Sequence, residues 1–445
     1  MIWNKARECM SRDELAVLQG KRLVELVDYM YHNAGYYKRK MQVLGLEPGD
    51  IRGIEDLEKL PFTTREDLID AYPLGVFAMS NSKIIRYHAS DHSTGYAGME
   101  TMAGYTQNDI DVWKECMARS VSMAGLGEGD VIQIAYNYGL CTDGISAHYG
   151  AEKVGAAVIP AADCRPVALI ALMRRLRVTG VISTASYLMH VAQMVEKRGL
   201  RTSLQLKTAI CGGESWTENI REKIQDKLGI KAYDIFGLDE LTGLGVACEC
   251  ERQMGMHIQE DFFLAEILDT HTLLVLPGGV RGELVFTTLQ KEGIPLIRYR
   301  TLSITKINYA KCECGRTMAR MDRLGHGTDD ILQIRGNSVS VSRIEAALSG
   351  LRGIEASYVV CIRKEHYFDV VDVFMEDATM NGELVSGRGT DVKRQVAEAV
   401  HNVIGVEPHV FYAESEKMKA FCGSSGERSE MYAGRKVSIV DARKY

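Results

Sequence analysis

From about residue 110 to residue 240 the chain alternates helical stretches with short apolar runs: VIQIAY, AAVIPA, GVISTA, LKTAICGG and KAYDIFG, the last two closed by glycine. Strands separated by helical crossovers lie parallel, so the alternation predicts an α/β fold with a parallel sheet. In such sheets ligands bind at the carboxyl ends of the strands, where the polar, Gly-rich turns lie.

The flanking segments have other textures. Near the start, Ser11 and Glu14 fit a capping box, and Leu15, Leu18, Leu23, Leu26, Val27 and Met30 recur at helical spacing. A second helix start sits at Thr64 and Asp67. From about 258 to 310 the pieces FFLAEILD, TLLVLPGG, GELVFTTL and LIRYR predict a β subdomain. After DRLGHGTDD the runs ILQIRG, SYVVCIRK, FDVVDVFME and HVFYAE, with helices over SRIEAALSGL and DVKRQVAEAVHNVIG, predict a small α+β domain. The expected division is residues 1–325 and 326–445, since 445 residues exceed what one core organises.

Composition narrows the function. Hydrophobic residues make up 46%, charged residues 25%, and the net charge is -6, as in ordinary globular chains. Without a basic excess, nucleic-acid binding is not expected as the main activity. No apolar run reaches the ~18 residues of a membrane span, and no signal peptide is apparent, so a cytoplasmic protein with a small-molecule substrate is expected. In that reducing setting the eleven cysteines read as thiols, metal ligands or catalytic groups.

One loop, HASDHSTGYAGMETMAGYT over residues 88–106, has the look of a nucleotide-binding loop without its lysine. The stretches MIWNKARECMSRDEL, KLPFTTREDL, AHYGAEKVGA, GESWTE, DIFGLDE, ECERQMGMHIQEDFF, GELVFTTL, IRYRT and CECGRT occur in this order, and together they resemble the phenylacetate-CoA ligase family of adenylate-forming enzymes nearly end to end. The resemblance implies a large N-terminal domain with a small mobile C-terminal domain. It also implies activation of an acid with ATP and Mg²⁺ to an acyl-adenylate, then transfer to CoA, and it suggests a homodimer.

Residue by residue, the resemblance places Ser93, Thr94 and Gly95 in the phosphate loop, with Asp91 and His92 replacing a serine and a glycine, and Tyr96 at the lysine position. Gly213, Glu214 and Phe236 fall in nucleotide-binding segments, Phe236 where a tyrosine usually faces adenine. Glu240 matches the Mg²⁺ carboxylate, and Ser303 stands at the ribose-binding aspartate. Gly327 replaces a hinge-side arginine, and Arg435, with Lys436 beside it, occupies the catalytic lysine position. On the acyl side, Cys141 and Asp143 take the places of a phenylalanine and a glycine. Asp163 and Cys164 replace small residues, so Asp91, His92, Asp143, Asp163 and Asp239 would gather around one cleft poorly matched to an aryl group. Exposed acidic rim residues are the plain alternative.

Cys250, His257, Cys312 and Cys314 match the family's structural zinc ligands, and three thiolates with one imidazole suit tetrahedral Zn²⁺. Cys248 is a nearby spare, His148 is as well a packed helix residue as a catalytic one, and Cys211 reads as a buried thiol. Three readings follow: an acid-CoA ligase using ATP, a repurposed ATP-independent enzyme with an acidic or metal-binding cleft, and a non-catalytic binding paralogue.

Overall fold

The computed structural model describes residues 1–71, 75–89, 101–162, 164–214 and 216–324; beyond these it describes 331–335, 337–340, 344, 347–348, 351, 358–365, 368–376, 388–413, 428–432 and 435–441. The chain divides near residue 326 into two compact units.

The first unit opens with helices α1 (Lys5–Glu8), α2 (Arg12–Asn33), α3 (Gly35–Val43) and α4 (Arg65–Asp70). Helix α2 starts where the sequence places it: Ser11 and Glu14 form a reciprocal capping box, and Leu15, Leu23, Leu26, Val27 and Met30 are buried. Helix α4 is capped the same way by Thr64 and Asp67. Strands β1 (Arg86–Ala89) and β2 (Met102–Tyr105) pair antiparallel and lead into α5 (Gln107–Met123).

Then comes the alternation: β3 (Val131–Ile134), α6 (Asp143–Lys153), β4 (Ala157–Pro160), α7 (Pro166–Arg175), β5 (Gly180–Ser183), α8 (Ala185–Lys197), β6 (Thr208–Gly212), α9 (Glu218–Leu228) and β7 (Lys231–Leu238). The five strands are parallel in the order β7-β6-β5-β3-β4. After β3 the chain steps outward to β4 and then returns to the other side of β3, so the order reverses between β3 and β5. A crevice opens at such a switch point, at the carboxyl ends of the strands.

Strands β8 (Gly243–Glu249), β9 (Met256–Ile258), β10 (Phe263–Leu268), β11 (Gly282–Thr288), β12 (Tyr299–Thr305), β13 (Ile307–Asn308) and β14 (Arg320–Met321) complete the unit. Of these, β8, β9, β14 and β13 extend the parallel sheet antiparallel to nine strands, while β10, β11 and β12 form a separate antiparallel sheet. The expected strand TLLVLPGG is a turn instead: one isolated bridge joins Val275 to Leu268, Leu273 has φ 59°, and Leu274 is 64% exposed. Leu276 packs against the core while Leu274 and Val275 are exposed, so the run has no continuous apolar face, and apolarity alone does not make a strand.

In the second unit, β15 (Ile331–Ile334) and β16 (Asn337–Ser340) form a pair. Strands β17 (Tyr358–Glu365) and β18 (Phe368–Glu376), helix α10 (Arg388–Ile404), and strands β19 (His409–Ala413), β20 (Arg428–Tyr432) and β21 (Arg435–Asp441) build a sheet ordered β19-β18-β17-β21-β20. Val396, Val400 and Ile404 of α10 share its core with Val360, Ile362, Val371 and Val373. The expected helix over SRIEAALSGL lies largely outside the described residues. Among the described residues no helix is long and apolar enough to cross a membrane.

Candidate active site and metal centre

Tyr136, just past β3, braces the switch point. Its hydroxyl donates toward the Ser183 and Gly212 carbonyls at 2.9 and 2.8 Å and accepts from the Gly212 amide at 3.0 Å, tying the ends of β3, β5 and β6 together. Asp143, the first residue of α6, is half-buried beside it. Gly213 turns with φ 74°, and a Cβ there would stand 3.3 Å from Asp143 Oδ2. The structure thus brings Asp143 and Gly213 together at the crevice.

Thr142, the N-cap of α6, makes no capping bond with its side chain. Its amide donates to Asp239 Oδ1 at 3.3 Å and its hydroxyl to the same oxygen. Gly243 permits this approach, since a Cβ there would collide with Thr142. Asp239 is therefore a tie between the β7–β8 turn and α6 rather than an open acidic wall.

Glu240 follows it and is half-buried. Burial pushes its carboxyl up, Arg65 pulls it back, Asp239 adds to the rise and Lys291 opposes it. The turn is held by main-chain contacts too: Tyr105 Oη donates to the Asp239 carbonyl at 3.2 Å and Lys291 Nζ to the Glu240 carbonyl at 2.6 Å. Lys291 stands between Gln290 and Glu292, in a polar stretch that carries no sequence signal for this role.

The other expected residues separate. Glu214 lies near the end of β6, but its carboxylate caps α8, accepting from the Ser186 amide at 2.5 Å and the Ser186 hydroxyl at 3.0 Å. Phe236 is 6% exposed and stacks on Phe286 with ring centroids 6.1 Å apart, in the core. Ser303 turns its hydroxyl back to the Thr301 carbonyl at 3.4 Å. His148 pairs with Tyr138 at 3.2 Å and with Glu152 at 3.0 Å. Cys211 is fully buried, which pushes its thiol up. Arg435 and Lys436 lie on β21, opposite Tyr432 and Met431. Asp91, His92, Ser93, Thr94, Gly95, Tyr96, Asp163 and Gly327 lie outside the described residues.

A second centre is complete among the described residues. Cys250 follows β8, His257 is in β9, and Cys312 and Cys314 sit on a knuckle ahead of β14 that is closed by Cys312 N–H to Arg316 O at 3.1 Å and Gly315 N–H to Cys312 O at 3.0 Å. The four ligand atoms lie within 4.8 Å of one another. A tetrahedral ion with metal–sulfur bonds of ~2.3 Å and metal–nitrogen bonds of ~2.0–2.1 Å sets ligand edges of ~3.8 Å between sulfurs and ~3.5 Å from sulfur to nitrogen. Cys250 Sγ and Cys312 Sγ are 3.8 Å apart, and Cys314 Sγ is 3.5 Å from His257 Nε2, so the residues fit a metal ion. His257 Nδ1 faces the Met318 carbonyl at 3.3 Å, as an outer-sphere partner that leaves Nε2 to ligate. Cys314 is pulled toward the thiolate, first by its bond with Cys250 and further by His257 and Arg316. Arg316 joins this sulfur, at 3.5 Å, to Glu8 Oε2, at 2.6 Å, and thus to the N-terminal segment. Cys248 is not part of the set; its thiol donates toward the Ser120 and Glu249 carbonyls.

This two-sheet architecture with its switch-point crevice is the fold of adenylate-forming CoA ligases. A crystal structure of 2-hydroxyisobutyryl-CoA ligase with 2-HIB-AMP and CoA superimposes with a TM-score of 0.86, at 23% identity, over 99% of this chain and 93% of that one. In sequence, the chain is 40% identical over 378 residues, 84% of each protein, to phenylacetate-coenzyme A ligase of Thermus thermophilus. It is 37% identical over 439 residues to that of Escherichia coli, covering 98% of this chain and 97% of the relative. The chain belongs to the phenylacetate-CoA ligase family. No protein-family model matches it.

Proposed function

We propose that the protein is an AMP-forming acid-CoA ligase. The observation that carries this reading is Glu240, a half-buried carboxylate on a braced turn beside the strand ends, in a chain similar to phenylacetate-coenzyme A ligase over nearly its whole length. Glu240 would hold Mg²⁺ against the nucleotide phosphates, and the ion would offset charge there as the acyl-adenylate forms. Arg65 and Lys291 favour the ionised form of Glu240. Asp143 and Cys141, in place of a glycine and a phenylalanine, favour an acid with a polar side chain over an aryl acid. The four-ligand centre is proposed to hold zinc in a closed structural role, since all four positions are filled by side chains and none is left open.

The test is acid-dependent exchange of labelled pyrophosphate into ATP, run with phenylacetate and with hydroxy and amino acids, beside thermal protection by ATP and Mg²⁺. Exchange with one of these acids supports the reading. The absence of both exchange and protection would overturn it.

Ser303 favours a second reading. Its hydroxyl is turned back onto its own strand, β12, where the family resemblance implies a carboxylate for ribose, which supports an ATP-independent relative acting on a polar or preactivated substrate. A reaction lost in Asp143→Ala and indifferent to ATP would establish it.

A further inference from the structure

Lys291 is buried at 5% exposure, yet among the described residues its ammonium makes no ion pair. Its partner is a main-chain carbonyl, that of Glu240, at 2.6 Å, and it lies 5.1 Å over the Tyr105 ring. Burying an ammonium is expensive, and an apolar side chain would brace a turn more cheaply. A charge retained here serves what surrounds it.

The base from which Lys291 reaches is fixed. Asp109, at the start of α5, accepts from the Glu292 and Gly293 amides at 2.7 and 3.0 Å, and Thr106 Oγ1 donates to Glu292 Oε2 at 2.7 Å. Tyr29 Oη donates to the Glu292 carbonyl at 2.9 Å. Gly293 is packed so closely on the Gly104 carbonyl that a Cβ would collide with it. From this base the ammonium reaches the Asp239–Glu240 turn, which is also anchored by Thr142 on the Asp239 carboxylate and Tyr105 on the Asp239 carbonyl.

We propose that Lys291 is a positioning residue for Glu240: its ammonium fixes the turn from which that carboxylate projects and adds a buried positive charge beside it. The proposal rests on the reading of Glu240 as the Mg²⁺ carboxylate. It adds a residue from the β11–β12 connection to a site otherwise built at the sheet. Acidic groups supply the surrounding field, with Asp109, Glu240 and Asp239 all favouring the charged lysine against its desolvation.

The experiment compares the full chain with Lys291→Met, Lys291→Gln and Lys291→Arg. Amide exchange is read over residues 238–243 against residues 246–249, together with kcat and KM in acid-dependent pyrophosphate exchange. In Lys291→Met, exchange in the turn is expected to rise about tenfold while 246–249 is unchanged. The expected kcat falls about tenfold or more, with the KM for the acid within about twofold. Lys291→Arg restores most of both, and Lys291→Gln, which keeps a donor without the charge, protects the turn but not kcat. A turn as protected in Lys291→Met as in the natural protein overturns the proposal; should that variant not fold, an unaltered kcat in Lys291→Gln does so. If the natural protein shows no pyrophosphate exchange, the ligase reading fails, and amide exchange still decides whether Lys291 holds the turn.

Discussion

Thr142 gives both its amide and its hydroxyl to one oxygen of Asp239, 97 residues farther along the chain. This clamp joins the first turn of α6, which carries Asp143, to the turn that carries Glu240. Hydrogen bonds to a buried charged group are worth about 1.5–3 kcal/mol. Asp239→Ala should therefore lower Tm by several degrees, and Thr142→Val should add little in the Asp239→Ala background, because both remove one interaction. Thermal unfolding of the two single variants and the double variant measures this; additive losses would refute the clamp.

Zinc should be present at one ion per chain. Cys312→Ser or His257→Ala should remove it and lower Tm, because the metal would join the end of β8 and strand β9 to the Cys312–Cys314 knuckle. Metal analysis with thermal scans checks both, and a metal-free natural protein of the same Tm as the loaded one would rule the staple out.

Replacing Ser303 by aspartate should strengthen ATP binding. A carboxylate acceptor on a ribose hydroxyl adds about 1.5–3 kcal/mol, roughly 10- to 100-fold in Kd. Calorimetry with Mg²⁺ present reads it directly. Unchanged affinity would mean that the ribose lies elsewhere.

Lys291 gives a pH signature. Burial lowers its pKa to about 8 from an ordinary value of 10.5. Between those values the unfolded chain binds more protons than the folded one, so this group's contribution to stability rises with pH across that window. Below pH 8 the penalty of the buried ammonium is fully present. Relative to Lys291→Met, the natural protein should gain up to about 3 kcal/mol between pH 8 and pH 10.5. Denaturant unfolding at the two ends measures the gain; parallel curves would contradict a buried ammonium.

Asp143→Gly should shift acid preference toward phenylacetate. It removes a half-buried carboxylate from the switch-point crevice and places there the glycine that the family resemblance implies. The ratio of kcat/KM for phenylacetate to that for the preferred polar acid should rise about tenfold or more.

The sequence by itself determined the local and periodic features. The capping boxes of α2 and α4 act between residues three apart, and the five parallel strands announce themselves as apolar runs between helices. The four clustered side chains that could hold a metal ion were legible too, because thiols and an imidazole carry their chemistry in their identity. What only the tertiary structure decided is how each polar group is used. Glu214 was expected at the nucleotide and caps α8, Asp239 was expected to line an acidic cleft and holds Thr142, and Lys291, unremarked in sequence, reaches the turn of Glu240. A carboxylate or an ammonium has the same formula whether it meets a ligand, a helix end or a distant turn. Which of these it meets is fixed by packing between segments far apart in the chain, and no local pattern encodes that choice.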